Sequence, residues 1–210
     1  MDQAAYFAQM RQRRRAEILL CARKMFLTQG IAAFNIQQLA RDLDISTVTL
    51  YKYFKNSDDI LIALREQILQ EIQEISFAEN LSRSGTPLES LQTLLKNFYT
   101  EVLRKKDDLS LLLLSDWHPS SGKTINENIF QPYINRLEEP LLNLLHLAES
   151  EDYLKADLNI TDSYLFLQQM NLTMLEHIAL LKDVDFSGQK KELLIQIQRL
   201  ISFFIFSIQK

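Results

Sequence analysis

Apolar residues recur three and four positions apart along most of this chain, and strict alternation is scarce, which predicts helices rather than strands. Ile18, Ala22, Met25 and Phe26 mark one face of a helix that stops at Gly30. Ile36, Leu39, Ala40 and Leu43 mark a short second helix, with Asn35 placed to cap it. Leu50 and Phe54, four apart, mark a third. Between the second and third, Asp44-Ile45-Ser46 makes a tight turn, with Ile45 as its apolar plug and Ser46 as the next cap. Thr47, Thr49, Tyr51, Lys52 and Tyr53 fall mostly outside the buried face of the third helix.

Further on, Ile60, Leu61, Leu64, Ile68, Ile72 and Ile75 predict one helix over 57–79, capped by Ser57. Thr86-Pro87-Leu88-Glu89 has the form of a capping box with proline in the first turn, opening a helix through Leu91, Leu95, Phe98 and Val102. Leu109 to Trp117 reads as a short buried helix, and Thr124 with Glu127 as a second capping box. Pro132 and Pro140 are expected to interrupt or kink the helical pattern carried by Ile134, Leu137, Leu141 and Leu145. Two final helices, 162–182 and 189–209, are apolar on more than one face, as befits an interior or an interface. Residues 1–10 read as a loose arm. The fold class is all-α, with a three-helix domain over 1–56 and a helical domain over 57–210.

Composition sharpens this. Only 4 Gly and 4 Pro in 210 residues agree with a helical chain. The net charge of −4 argues against a nucleic-acid binder until its distribution is read. Residues 1–56 hold Arg11, Arg13, Arg14, Arg15, Arg23, Lys24, Arg41, Lys52 and Lys55 against Asp2, Glu17, Asp42 and Asp44, a net +5, leaving −9 for the remainder. A basic head on an acidic body suits local attraction to a polyanion. The arginines at 11–15 are candidates for phosphate or minor-groove contact. The single Cys21 cannot form an intrachain disulfide, and no apolar run reaches the roughly 20 residues of a membrane span, so a cytoplasmic protein is expected.

The order of these elements resembles the N-terminal domain of the TetR family of transcriptional regulators. Ala22, Met25, Phe26 and Gly30 match its opening-helix pattern, Leu39-Ala40 its I/L-A pair, and Thr49-Leu50-Tyr51-Lys52-Tyr53-Phe54 its T/S-L-Y-x-Y/H-F box. Three positions depart. Asp44 replaces the glycine of a G-V-S turn, Val48 stands where a small residue is common, and Ser57 stands in place of a phosphate-contacting lysine.

The resemblance implies a helix-turn-helix DNA-binding domain followed by a helical ligand-binding and dimerisation bundle. Its expected function is a repressor released from a palindromic operator by a small molecule. DNA contacts are expected from Gln37, Ser46, Thr47, Val48, Thr49, Tyr51, Lys52, Tyr53 and Lys55. The last two helices are expected to close a homodimer through Leu193, Ile197, Ile201, Phe204 and Ile208. Tyr99, Trp117, Tyr133, Phe166 and Met170 are the candidates for an apolar effector pocket with a few polar groups. The alternative is a helical protein-interaction module with a degenerate helix-turn-helix. An enzyme is the rival class, but the chain has no phosphate loop, nucleophile elbow, H-E-x-x-H or paired-cysteine site, so neither a cofactor nor a metal is expected. His118, His146 and His177 are far apart in sequence.

Overall fold

A computed structural model describes residues 3–77, 85–116, 128–181 and 183–210, of 183–187 the backbone alone. Among the described residues there are nine α-helices, and the only β-type pairing is an isolated bridge between Leu154 and Gln209. The chain divides into two compact units: Met1–Gln70 with Ser110–Asn126, and Glu71–Leu109 with Glu127–Lys210. Two helices, α4 (Ser57–Gln73) and α6 (Lys106–Asp116), cross those boundaries in sequence.

In the first unit, α1 spans Gln3–Gln29, so residues 3–10 are helical rather than a loose arm. No glycine or proline interrupts that run, and Ala, Gln, Met and Arg all favour helix. It ends at Gly30, whose φ of +81° an L side chain would resist. Ile18, Ala22, Met25 and Phe26 are buried, and Phe26 stacks on Phe34 with ring centroids 4.2 Å apart. Helices α2 (Ile36–Asp42) and α3 (Thr47–Tyr51) complete the head, burying Leu39, Ala40 and Leu50. A helix of five residues has little stability of its own. Burying Leu50 and Phe54, worth about 1.5–3 kcal/mol each, is what fixes α3.

Helix α4 is capped by Asn56, not by Ser57. The Asn56 side chain accepts from the Asp59 N–H (2.8 Å), and Asp59 in turn accepts from the Lys55 N–H (2.9 Å). Ser57 is the first helical residue, while Asp58 and Asp59 suit the positive end of the helix.

The second unit is built on α5 (Pro87–Arg104), α7 (Gln131–Ser150), α8 (Ile160–Leu180) and α9 (Asp183–Ile208). Helix α5 packs on α7 and α9, and α7 on α8. The Thr86–Glu89 capping box forms as expected, with Thr86 N–H to Glu89 Oε2 at 2.8 Å and Glu89 N–H to Thr86 Oγ1 at 3.2 Å. Helix α4 stops at Gln73 rather than 79 because the chain beyond it is held by other groups. Arg136 donates twice to the Ile75 carbonyl (3.0 and 2.9 Å), and Phe77 is buried edge-on to Phe98 at 5.0 Å. Lys105 reaches Glu71 at 3.0 Å. Helix α7 runs through Pro140, and Pro132 sits in its first turn. The C-terminal end is tied down by backbone bonds, Lys155 N–H to Ile208 O and Lys210 N–H to Tyr153 O, both 3.0 Å, and by a Lys210–Asp152 ion pair. The 124–127 capping box lies outside the described residues.

Candidate nucleic-acid interface

The turn between α2 and α3 decides how α3 is presented. Asn35 caps α2 by accepting from the N–H groups of Gln37 (2.8 Å) and Gln38 (3.2 Å), leaving the Gln37 side chain exposed on the first turn. Asp44 then adopts φ +52°, the left-handed region that the glycine of a G-V-S turn would fill without strain. Aspartate is among the few side chains that tolerate this region. Ile45 is half-buried beneath the turn. Ser46 caps α3, its Oγ accepting from the Thr49 N–H at 3.0 Å and lying 2.9 Å from the Thr49 hydroxyl.

The outward face follows. Val48 is 68 % exposed and Tyr51 53 %, while Leu50 on the same helix is fully buried. Lys52 and Lys55 are exposed, and Thr47, Thr49 and Tyr53 are half-buried. All nine expected DNA-contact residues thus keep at least partial access to solvent, though the hydroxyls of Ser46 and Thr49 are already engaged with each other.

Helix α1 braces this face. Arg11 donates to the Lys52 carbonyl at 3.5 Å and Arg15 to the Tyr53 carbonyl at 3.4 Å, at the carbonyl-rich end of α3 where a cation is favoured. The Arg15 guanidinium also lies over the Phe54 ring, 4.4 Å from its centroid. Arg13 and Arg14 instead pair with Glu17 along α1, at 3.5 and 2.9 Å. The basic cluster therefore has two roles: Arg11 and Arg15 hold the chain that follows α3, while Arg13 and Arg14 pair along α1.

A turn in the left-handed region between two short capped helices, with the second turned outward, is a helix-turn-helix. The sequence profile of bacterial regulatory proteins of the tetR family matches residues 18–64. This head is a TetR-family N-terminal domain. The transcriptional regulator HbdR of Aromatoleum sp. (strain CIB) is 35 % identical over 63 residues, a match spanning 30 % of this chain and 28 % of that protein. Beyond this head the chain is similar to known structures in fold alone. A TetR/AcrR regulator from Thermobifida fusca YX-ER1 aligns with a TM-score of 0.60 at 22 % identity, over 90 % of this chain and 96 % of the other. The ketosteroid regulator KstR2 of Mycobacterium tuberculosis aligns with 0.57 at 16 %, over 94 % and 95 %. The family is one of DNA-binding transcriptional regulators, which are not enzymes.

The other expected sites are not gathered as the sequence pattern implies. Leu193, Ile197, Ile201, Phe204 and Ile208 lie in the core of the second unit rather than on a partner-facing surface. They form the regular stripe of α9, and the bundle's own packing takes that stripe. The residues left in water are Leu200, Phe203 (71 % exposed) and Phe206 (77 %). Of the pocket candidates, Phe166 and Met170 line an outward cleft of about 450 Å³ with Met174, His177 and Leu200. Tyr99 lies on the inner side of α8, where its hydroxyl donates to Asn171 Oδ1 at 2.6 Å. Met170 and Asn171 are adjacent, so they point about 100° apart around the helix. Tyr133 is fully buried, and its hydroxyl has no hydrogen-bond partner among the described residues. Burial raises the pKa of both tyrosines, and the nearby carboxylates, Asp108 first, add to it at Tyr133. Trp117 lies outside the described residues, as does His118. Among the described residues no three His, Cys, Asp or Glu come close enough to hold a metal, and no helix is long and apolar enough to cross a membrane.

Proposed function

We propose that this TetR-family DNA-binding regulator is a repressor that a small molecule releases from a palindromic operator. A homodimer presents two heads, residues 1–56, to half-sites whose major-groove contacts lie about one helical turn or a multiple of it apart. The observation that carries this reading is the outward face of α3. Val48 and Tyr51 stay in water on a helix whose other face is fully buried, on a head with a net +5 charge. Thr47, Val48, Tyr51 and Gln37 reach base edges, with Val48 suited to a thymine methyl. Ser46, Thr49, Lys52, Tyr53 and Lys55 serve the phosphates and set register.

Residues 57–210 carry the dimer contacts and the effector site. The exposed Leu200, Phe203 and Phe206 support an interface on the outer face of α9. The orphan hydroxyl of Tyr133 supports an effector site within the second unit, with Tyr99 as a further candidate, because a buried hydroxyl without a partner favours a ligand that bonds to it. Phe166 and Met170 belong rather with the outer face. The protein acts in the cytoplasm, where its DNA is. An effector releases DNA only if it binds the released state more tightly than the DNA-bound state. A coupling of roughly 1–3 kcal/mol changes operator affinity about 5- to 150-fold.

The test uses compounds found by their thermal stabilisation of the full chain. Each is titrated while affinity for a selected operator is followed at fixed salt. Release predicts a loss within that range. Compounds that saturate the protein and leave affinity unchanged contradict the release mechanism, and tighter operator binding would make the ligand a co-repressor.

A further inference from the structure

Helix α1 begins some four turns before its first buried residue, Ile18, and Arg11 and Arg15 tie this stretch to the chain that follows α3. Every side chain from Gln3 to Arg13 is exposed. Three of them are large and apolar: Tyr6, Phe7 (61 % exposed) and Met10, with Tyr6 and Phe7 in edge contact at 5.8 Å. Positions 6, 7, 10, 13 and 14 share one face at helical spacing, so this apolar patch runs directly into Arg13 and Arg14. Phe7 and Arg14, four and three positions from Arg11, lie at the edge of the side on which Arg11 and Arg15 hold the chain after α3. Glu17 is the only acidic residue from Gln3 to Arg41.

We infer that the first turns of α1 are a second DNA-binding element, which contacts duplex flanking the base pairs read by α3. Arg13 and Arg14 meet phosphates, and Tyr6, Phe7 and Met10 pack on the groove wall and sugar edges, the use that DNA-bending proteins make of exposed apolar side chains. This rests on the reading of α3 as the DNA-contact helix. Two observations commit the face to DNA. It adjoins the recognition helix, because Arg11 and Arg15, on the same helix, donate to the carbonyls of Lys52 and Tyr53, which directly follow α3. Its charge is complementary to a polyanion, whereas two copies of this face would set arginines against arginines. From Arg11 the helix runs on for eight residues to Gln3, about 12 Å, enough to pass beyond one phosphate ridge.

The experiment compares the full chain on two duplexes, the selected operator trimmed to its recognised base pairs and the same operator with ten added pairs at each end. The wild-type chain is expected to bind the longer duplex roughly ten-fold more tightly at moderate salt, with a correspondingly longer hydroxyl-radical footprint. A Tyr6→Gln, Phe7→Gln, Met10→Gln triple variant, which keeps helix-forming side chains at exposed positions, should bind both duplexes alike. Arg13→Gln with Arg14→Gln should reduce the salt slope on the longer duplex by about two per head and leave the trimmed duplex unaffected. Equal wild-type affinity for the two duplexes overturns the inference while leaving the reading of α3 intact. So does a triple variant that keeps the ten-fold difference, or one whose only change is a smaller oligomer, which would mean that the patch joins copies of the chain. A wild-type chain that binds neither duplex overturns the reading of α3 and this inference together.

Discussion

A single backbone angle at Asp44 shapes the head. With φ at +52°, a β-branched side chain there is strained by roughly 1–2 kcal/mol, so Asp44→Val should lower the melting temperature, while Asp44→Gly should be close to neutral. An unchanged melting temperature in the Val variant would show that the turn adopts another conformation. The departure of this residue from the G-V-S pattern was visible in the sequence, but that the turn keeps its glycine-like geometry was not. Tolerance of φ > 0 is a property of the individual aspartate in its setting.

The two buried tyrosines make a matched pair. Tyr99→Phe strips the hydroxyl from Asn171, itself buried, and should cost about 1–3 kcal/mol. Tyr133→Phe removes a hydroxyl that has no partner, and should be neutral or stabilising in the protein without effector. Urea melts of both variants check the contrast, and equal destabilisation would mean that Tyr133 is satisfied after all. Neither environment was legible in the sequence, where both tyrosines read only as pocket candidates. Burial and partner identity depend on which helices meet, and periodicity does not give that.

At the scale of elements, what was legible follows from local chemistry. The helix-turn-helix, the stop at Gly30 and the Thr86–Glu89 box rest on contacts within a few residues, and all three are present. The cap of α4 moved by one residue, from Ser57 to Asn56, because two adjacent residues carry suitable acceptors and only geometry selects between them. Helix α9 is decided by packing rather than by local pattern. Its regular stripe and its extra aromatics are both apolar, and the sequence does not say which side the bundle buries. The structure assigns the stripe to the core, so Ile201→Glu should unfold the second unit. A Phe203→Glu, Phe206→Glu double variant should stay folded and sediment as a monomer if the outer face of α9 closes the dimer. A folded dimer from that variant would move the interface elsewhere.

On α3 the two kinds of DNA contact separate in one assay. Lys52→Ala should weaken binding to all duplexes alike and lower the salt slope by about 1, while Tyr51→Ala should relax preference at one position of each half-site. A change of preference at a single base pair on losing Lys52, without general weakening, would reverse the assignment.

At the scale of the whole molecule, a basic head and an acidic body divide one chain between binding a polyanion and staying clear of it. Relatives share the fold of the body at low identity, so the chemistry of the effector has to come from the residues of this chain. The claim on which the rest depends is that the head reads a specific duplex sequence. Selection from a pool of random duplex DNA with the full-length protein tests it most directly. The account predicts enrichment of an inverted repeat with half-sites about one helical turn or a multiple apart, bound with an affinity that falls steeply as salt rises. A pool that shows no enriched sequence after repeated rounds, with only weak binding to every duplex, would contradict it.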